Sequence, residues 1–152
     1  YQGFSAVSNQ ASMASVNKGK YINPDPTIVL EDDEFLKWHE RTQMPLVPFS
    51  ASANGFFDKL YRSNPVVEDG KLISPVEDLH MSQNLIDSFL NEDNLRKYER
   101  LLKWKEETGA SLYTLSLAYL INMPFQVIPV SSVSSISQLD GFIAASDIKL
   151  DI

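Results

Sequence analysis

The stretch Met44–Phe57, MPLVPFSASANGFF, constrains the fold of this chain more than any other. Pro45 to Phe49 is a short apolar run that ends abruptly in Ser50-Ala51-Ser52-Ala53-Asn54-Gly55. A run of that length, bounded by turn residues, suits a buried strand. Small polar residues and a glycine behind such a strand let a backbone come close to a ligand, most often a phosphate. An ordinary strand followed by an ordinary small-residue loop accounts for the same residues.

The rest of the chain reads as strands and helices in alternation. Gly3–Asn9 suits a short buried strand, and Gln10–Gly19, rich in Ser, Asn and Ala, a loop. Tyr21–Pro26 carries two prolines and cannot be helix, and Ile28–Leu30 suits a short extended segment. A helix capped at Asp32 or its neighbours runs to about Thr42, with Phe35, Leu36 and His39 on one face. Asp32-Asp33-Glu34 at its start complements the helix dipole. After the central strand, Phe56, Phe57, Leu60 and Tyr61 suggest a short helical turn, and Ser63–Asn84 an irregular excursion. A helix capped near Asn91 follows, with Leu95, Tyr98, Leu101 and Leu102 at helical spacing, ending at Thr108-Gly109. Ser111 caps the next, which Pro124 stops. Phe125–Val130 is a second buried-strand candidate. The serines from Ser131 to Ser135 then lead into a helix that uses Ile136, Leu139 and Ile143. Strand followed by helix, repeated, points to α/β with parallel strands.

Composition narrows the chemistry. With 152 residues the chain has the length of one domain. A net charge of -7 argues against a nucleic-acid surface, and zero cysteines exclude thiolate chemistry and fit a reducing compartment. No apolar run approaches the roughly 18 residues of a membrane span, so a cytoplasmic location is expected. Initiator-methionine removal is not expected before Tyr1, so the sequence reads as part of something longer. His39 and His80 lack metal-ligand spacing and read as structural or surface residues, and no metal is expected. Tyr98, Tyr113 and Tyr119 read as packing residues. The serine run at a strand end and helix start suits an anion, or is simply a serine-rich cap.

Taken in order, several segments resemble the C-terminal half of an aldo-keto reductase, over nearly the whole chain. Trp38–Pro45 resembles the lead-in to strand seven of that family's barrel, and Phe49-Ser50 with the following loop resembles its cofactor loop. Asn94-Leu95 and Thr108–Ser111 with Leu117-Ala118-Tyr119 and Pro124 resemble its seventh helix and the one after. Val127–Pro129 resembles strand eight, and Gln138-Leu139, Ala144-Ala145 and Asp147–Leu150 its closing segment. The fold implied is α/β, a partial (β/α)8 TIM barrel of about strands six to eight, with residues 1–152 as the C-terminal part of the domain.

The resemblance implies NADP(H)-dependent reduction of a small carbonyl substrate by hydride transfer, with NAD(H) as the other dinucleotide. Phe49 takes the place of a tyrosine stacked on nicotinamide. Ser50, Ser52 and Asn54 lie in the loop around the pyrophosphate. Ser8 falls near a position that often holds a nicotinamide-contacting glutamine. Ser132, Ser134, Ser135 and Gln138 match the adenosine 2′-phosphate end. There the family usually places Arg or Lys, and this chain has neither. The family's catalytic Asp, Tyr, Lys and His belong to the first half of the barrel. Two readings follow: the cofactor-binding portion of a reductase whose catalytic half is elsewhere, or a non-catalytic nucleotide-binding or protein-interaction half barrel. Open barrel edges invite pairing, so self-association or poor folding is expected of the chain alone.

Overall fold

The computed structural model describes residues 3–17, 19–20 and 33–152. The features expected at Tyr21–Pro26, Ile28–Leu30 and Asp32 lie outside these residues. The described residues form six α-helices: α1 (Asp33–Thr42), α2 (Phe56–Arg62), α3 (Gln83–Phe89), α4 (Glu92–Thr108), α5 (Leu112–Ile121) and α6 (Ile136–Ala144). Local chemistry sets their ends. Asn91 accepts from Asn94 N–H to start α4, and Gly109 in the left-handed region closes it. Ser111 accepts from Thr114 N–H to start α5, and Ser135 from Gln138 N–H to start α6.

Two apolar clusters make the core. One gathers Phe56, Phe57 and Leu60 of α2, Phe89 of α3, and Leu95, Tyr98, Leu101 and Trp104 of α4. The other gathers Phe35 of α1, Leu46, Ala51, Phe125 and Val127. Helix α5 is their common wall: Leu112 and Leu115 face the first cluster, and Leu117, Ala118 and Leu120 the second. Each leucine or phenylalanine among them contributes about 1.5–3 kcal/mol when fully buried.

Three extended segments, 7–11, 45–49 and 126–130, lie side by side and parallel, with the central one in the middle. Bridges join Val7 to Leu46, Gln10 to Phe49 and Leu46 to Val127. Val47 N–H donates to Val7 C=O at 2.8 Å, Ile128 N–H to Leu46 C=O at 2.8 Å, and Val130 N–H to Pro48 C=O at 2.9 Å. The strands expected at Gly3–Asn9, Pro45–Phe49 and Phe125–Val130 are thus realised as isolated parallel bridges, and the eight-stranded barrel goes beyond what this mixed architecture displays. Proline explains part of the interruption. Pro45, Pro48 and Pro129 have no N–H to give to a ladder. The only continuous strands among the described residues are the two-residue pair β1 (Val67–Glu68) and β2 (Lys71–Leu72), which is antiparallel.

Two expectations are corrected, and a third gains detail. Ser63–Asn84 is not uniformly irregular: it holds the β1–β2 hairpin, a 3-10 turn at Val76–Asp78 and the start of α3. Asp69 and Gly70, both at positive φ, make the tight hairpin turn, and the Asp-Gly pair is a strong local signal for one. The loop Gln10–Gly19 is irregular, but Gln10 to Ala14 are buried. Its backbone is satisfied by buried amides: Asn94 accepts from Ser15 N–H at 2.7 Å and donates to Ser15 C=O at 2.8 Å and Phe89 C=O at 2.6 Å. Finally, Ile136, Leu139 and Ile143 of α6 do not pack into the core. They are 79%, 44% and 59% exposed.

Candidate functional site

Parallel strands leave their ligands at the carboxyl ends, where the connecting loops cluster. In this chain that margin is where 7–11, 45–49 and 126–130 finish. Phe49 closes the central segment. Its N–H donates to Asn9 C=O at 3.1 Å and its C=O accepts from Ala11 N–H at 3.3 Å. On the other side Val130, which opens the serine run, is tied to Pro48. Phe49 and the roots of the two small-residue loops therefore stand on adjacent segments at one end. The Phe49 ring is 42% exposed there.

The first loop has an unusual backbone. Ser50, Ala53 and Asn54 hold φ of 55°, 48° and 54°, and Gly55 follows at 73°. Left-handed conformations cost a non-glycine residue roughly 1–2 kcal/mol. Here the buried methyls of Ala51 and Ala53 and the rings of Phe56 and Phe57 anchor the loop from below. Ala53 N–H donates to Ser50 C=O and Gly55 N–H to Ser52 C=O, both at 2.8 Å. Among the described residues, Ser52 N–H and Asn54 N–H enter no backbone hydrogen bond. Small side chains over unengaged amides suit a phosphate, which needs donors at close approach.

The second loop is more self-satisfied. Ser134 directs both its N–H, at 2.7 Å, and its hydroxyl, at 2.9 Å, to Gln138 Oε1. The Ser135 hydroxyl accepts from Gln138 N–H at 3.2 Å as the cap of α6. Ser132, Ser134, Ser135 and Gln138 are all exposed. No Lys or Arg occurs between Lys105 and Lys149, and Asp140 is the one charged residue of α6.

Ser8 is displaced from this group. It follows Val7, which is level with Leu46, whereas the residue opposite Phe49 is Gln10, 4% exposed. Gln10 is the side chain missed in the sequence. The signal was the glutamine itself, two positions beyond the serine, but register cannot be read without the partner strand.

Other candidates fall away from the site. His39 is fully buried on α1 with Nδ1 2.6 Å from Met44 C=O. A carbonyl only accepts, so Nδ1 carries a proton. Nε2 has no hydrogen-bond partner among the described residues, and the ring stacks on Phe125 with Phe35 and Trp38 edge-on. That is a packing role. His80 is exposed. Burial, with Tyr61 adding to it, pushes the Tyr98 hydroxyl up to about 12, which suits a core tyrosine that keeps its proton. Among the described residues no cluster of His, Cys, Asp or Glu could hold a metal ion, and no helix is long and apolar enough to cross a membrane.

A protein-family model described as the aldo/keto reductase family matches residues 3–152. No curated protein and no solved structure matches the chain.

Proposed function

The chain belongs to the aldo/keto reductase family, and from that premise we propose that it is the nicotinamide-dinucleotide-binding portion of a carbonyl reductase. When bound, the nicotinamide supplies the hydride that turns a carbonyl into an alcohol. The observation that supports this most is the adjacency of Phe49 and two small-residue loops at the carboxyl end of a parallel ladder.

In this reading Phe49 offers a ring face to the nicotinamide, without the hydroxyl that a tyrosine would add. Gln10, rather than Ser8, is the amide beside it. Ser50, Ser52 and Asn54 surround the pyrophosphate, with Ser52 N–H and Asn54 N–H as donors. Ser132, Ser134, Ser135 and Gln138 meet the adenosine ribose. NADP(H) is the family's usual dinucleotide, but a loop without a cation holds a 2′-phosphate through neutral hydrogen bonds alone. A charge-assisted contact contributes roughly 1.5–3 kcal/mol. NAD(H) therefore competes closely at this end. The acid and base of the reaction, which the family draws from the first half of its barrel, lie outside this chain.

Titration with NADPH and NADH, read by Trp38 and Trp104 fluorescence, tests the proposal. Saturable binding supports it, and Ser134→Arg should tighten NADPH by about 10- to 150-fold while leaving NADH nearly unchanged. Folded protein that binds neither would favour the second reading, a non-catalytic interaction module. The missing cation near Ser134 and the missing hydroxyl at Phe49 are what speak for that second reading.

A further inference from the structure

We propose that Asn94, Asn91 and Ser15 form a latch whose closure is coupled to dinucleotide binding, so that these residues position the site through segment 10–17 rather than by contact with the cofactor. The inference rests on the cofactor reading above. Residues 11–17 have no helix or strand of their own, yet they link the two halves of the core. Ala11 belongs to the cluster that holds Ala51 under the first loop, and Met13 and Ala14 to the cluster against α4. The ladder itself grips this end weakly. Ala11 N–H reaches Phe49 C=O at 3.3 Å, against 2.8 Å for Val47 N–H to Val7 C=O, and a bond of that length lies beyond the usual range.

What holds the segment is a set of side-chain amides at the α3–α4 junction. The fully buried Asn94 side chain engages its oxygen and its nitrogen there: Oδ1 accepts from Ser15 N–H at 2.7 Å, and Nδ2 donates to Ser15 C=O at 2.8 Å and to Phe89 C=O at 2.6 Å. Asn91 Nδ2 donates to Ser15 C=O at 3.2 Å and to Asn17 Oδ1 at 2.8 Å. Asn17 completes the set. Its N–H donates to Ser88 C=O at 2.8 Å, and its Nδ2 to Asp87 C=O at 2.8 Å and Leu90 C=O at 3.2 Å. On the outer side the Ser15 hydroxyl donates to Asp93 and accepts from Lys97 Nζ at 2.5 Å, across the ion pair those two make. Lys97 donates to the hydroxyl and is paired with Asp93, so it offers no base to activate Ser15 as a nucleophile. The trio fastens the segment.

These bonds are directional and largely buried, and a buried amide left half matched is costly. Partial seating is therefore disfavoured, and the segment is either latched or released. Four residues separate Ser15 from Gln10, and release of Ser15 leaves Ala11 with its long bond to Phe49 as the nearest restraint. Gln10, 4% exposed and level with Phe49, then loses its fixed place. A dinucleotide that needs both residues in register binds the latched state. By linkage, binding must favour the latch by the same factor as the latch favours binding.

The test uses the full chain with NADPH, read by amide hydrogen exchange and by Trp38 and Trp104 fluorescence. Saturating NADPH should slow exchange at Ser15 and Asn17 by at least about tenfold. Ile73 N–H, held by Val66 C=O beside the hairpin, should move by less than about twofold. Asn94→Ala should weaken NADPH by at least about tenfold, and Ser15→Ala, which leaves the backbone bonds in place, by about three- to tenfold. Ser15→Thr keeps the hydroxyl and should stay near the parent. Arg96→Met, which breaks only a surface pair with Glu92, should leave affinity unchanged. Leu101→Ala, in the same core cluster, should cost more stability than Ser15→Ala, yet leave affinity within about twofold well below its midpoint. Equal protection at Ile73, unchanged affinity in folded Ser15→Ala, or equal weakening by Leu101→Ala would overturn the latch and leave the cofactor reading intact. Should Asn94→Ala not fold, Ser15→Ala decides alone. Folded parent protein that binds neither NADPH nor NADH removes the cofactor reading, and the latch with it.

Discussion

Helices α5 and α6 begin alike and end up in opposite surroundings. They have 10 and 9 residues, and each starts at a serine whose hydroxyl accepts an N–H three residues on, Ser111 at 3.1 Å and Ser135 at 3.2 Å. Both carry apolar residues at helical spacing. Yet Leu112, Leu115, Leu117 and Leu120 of α5 are at most 1% exposed, and no residue of α6 is buried. The two pack against each other where α6 has Gly141, at which a Cβ would stand 2.8 Å from the Thr114 hydroxyl oxygen. Helix α5 has an apolar cluster on either side. Helix α6 has α5 on one side and leaves Ile136, Leu139 and Ile143 uncovered. A cap and a period make a helix, but only neighbouring elements decide whether it is core.

The sharpest way to break this contrast is truncation. Leu117→Ala in α5 should destabilise the chain by about 2–5 kcal/mol, through lost transfer energy and the cavity left behind. Ile136→Ala in α6 should stay within about 0.5 kcal/mol. Denaturant unfolding of both variants decides, and similar losses would mean that α6 is covered in solution. Next in size is Asn94→Ala in α4, where the buried amide serves Ser15 and Phe89. Each buried group left unmatched costs roughly 1–3 kcal/mol, and hydrogen exchange at Ser15 should accelerate alongside the lower midpoint.

The caps sharpen the comparison from the other direction. Ser111→Ala and Ser135→Ala should each cost about 1 kcal/mol of helix stability. Loss of helical circular dichroism should accompany the α6 variant without any change in core packing. A much larger effect at Ser111 alone would show that burial, not the cap, holds α5. The smallest expected effect is one of pH. Burial pushes the Asp93 carboxyl up, but hydrogen bonds from Lys97 and Ser15, with the charges of Lys97 and Arg96, outweigh it and hold the group below its usual value. The folded value being the lower one, this stabilisation is present at neutral pH and is lost as pH falls through it. The carboxylate is 59% exposed, so the contribution is small. Asp93→Asn should flatten the acid limb of a stability–pH curve slightly, and an unchanged limb would assign Asp93 no role.

Much of the fold was legible locally. Asn91, Ser111 and Ser135 marked three helix starts, Gly109 an end, and Pro124 a stop, because each acts on backbone groups within four residues. The α3 helix and the β1–β2 hairpin were overlooked. The Asp69-Gly70 turn that closes the hairpin was in plain view, but two-residue strands leave no periodicity to read. At the candidate site, the small-residue loop after Phe49 was visible as composition. Its run of left-handed residues at Ser50, Ala53 and Asn54 was not, since none of the three is the glycine that usually signals one.

By itself, then, the sequence determined where α4 and α5 start and where α4 stops, that the run through Phe49 is extended, and which family model the chain satisfies. These are properties of local backbone chemistry and residue order. Tertiary structure alone decided the register that sets Gln10 rather than Ser8 opposite Phe49, because a strand's level is fixed only by the hydrogen bonds of its neighbour. It alone decided that the apolar row of α6 stays on the surface while α5 is interior. Burial belongs to a pair of surfaces, and a single chain segment encodes just one of them.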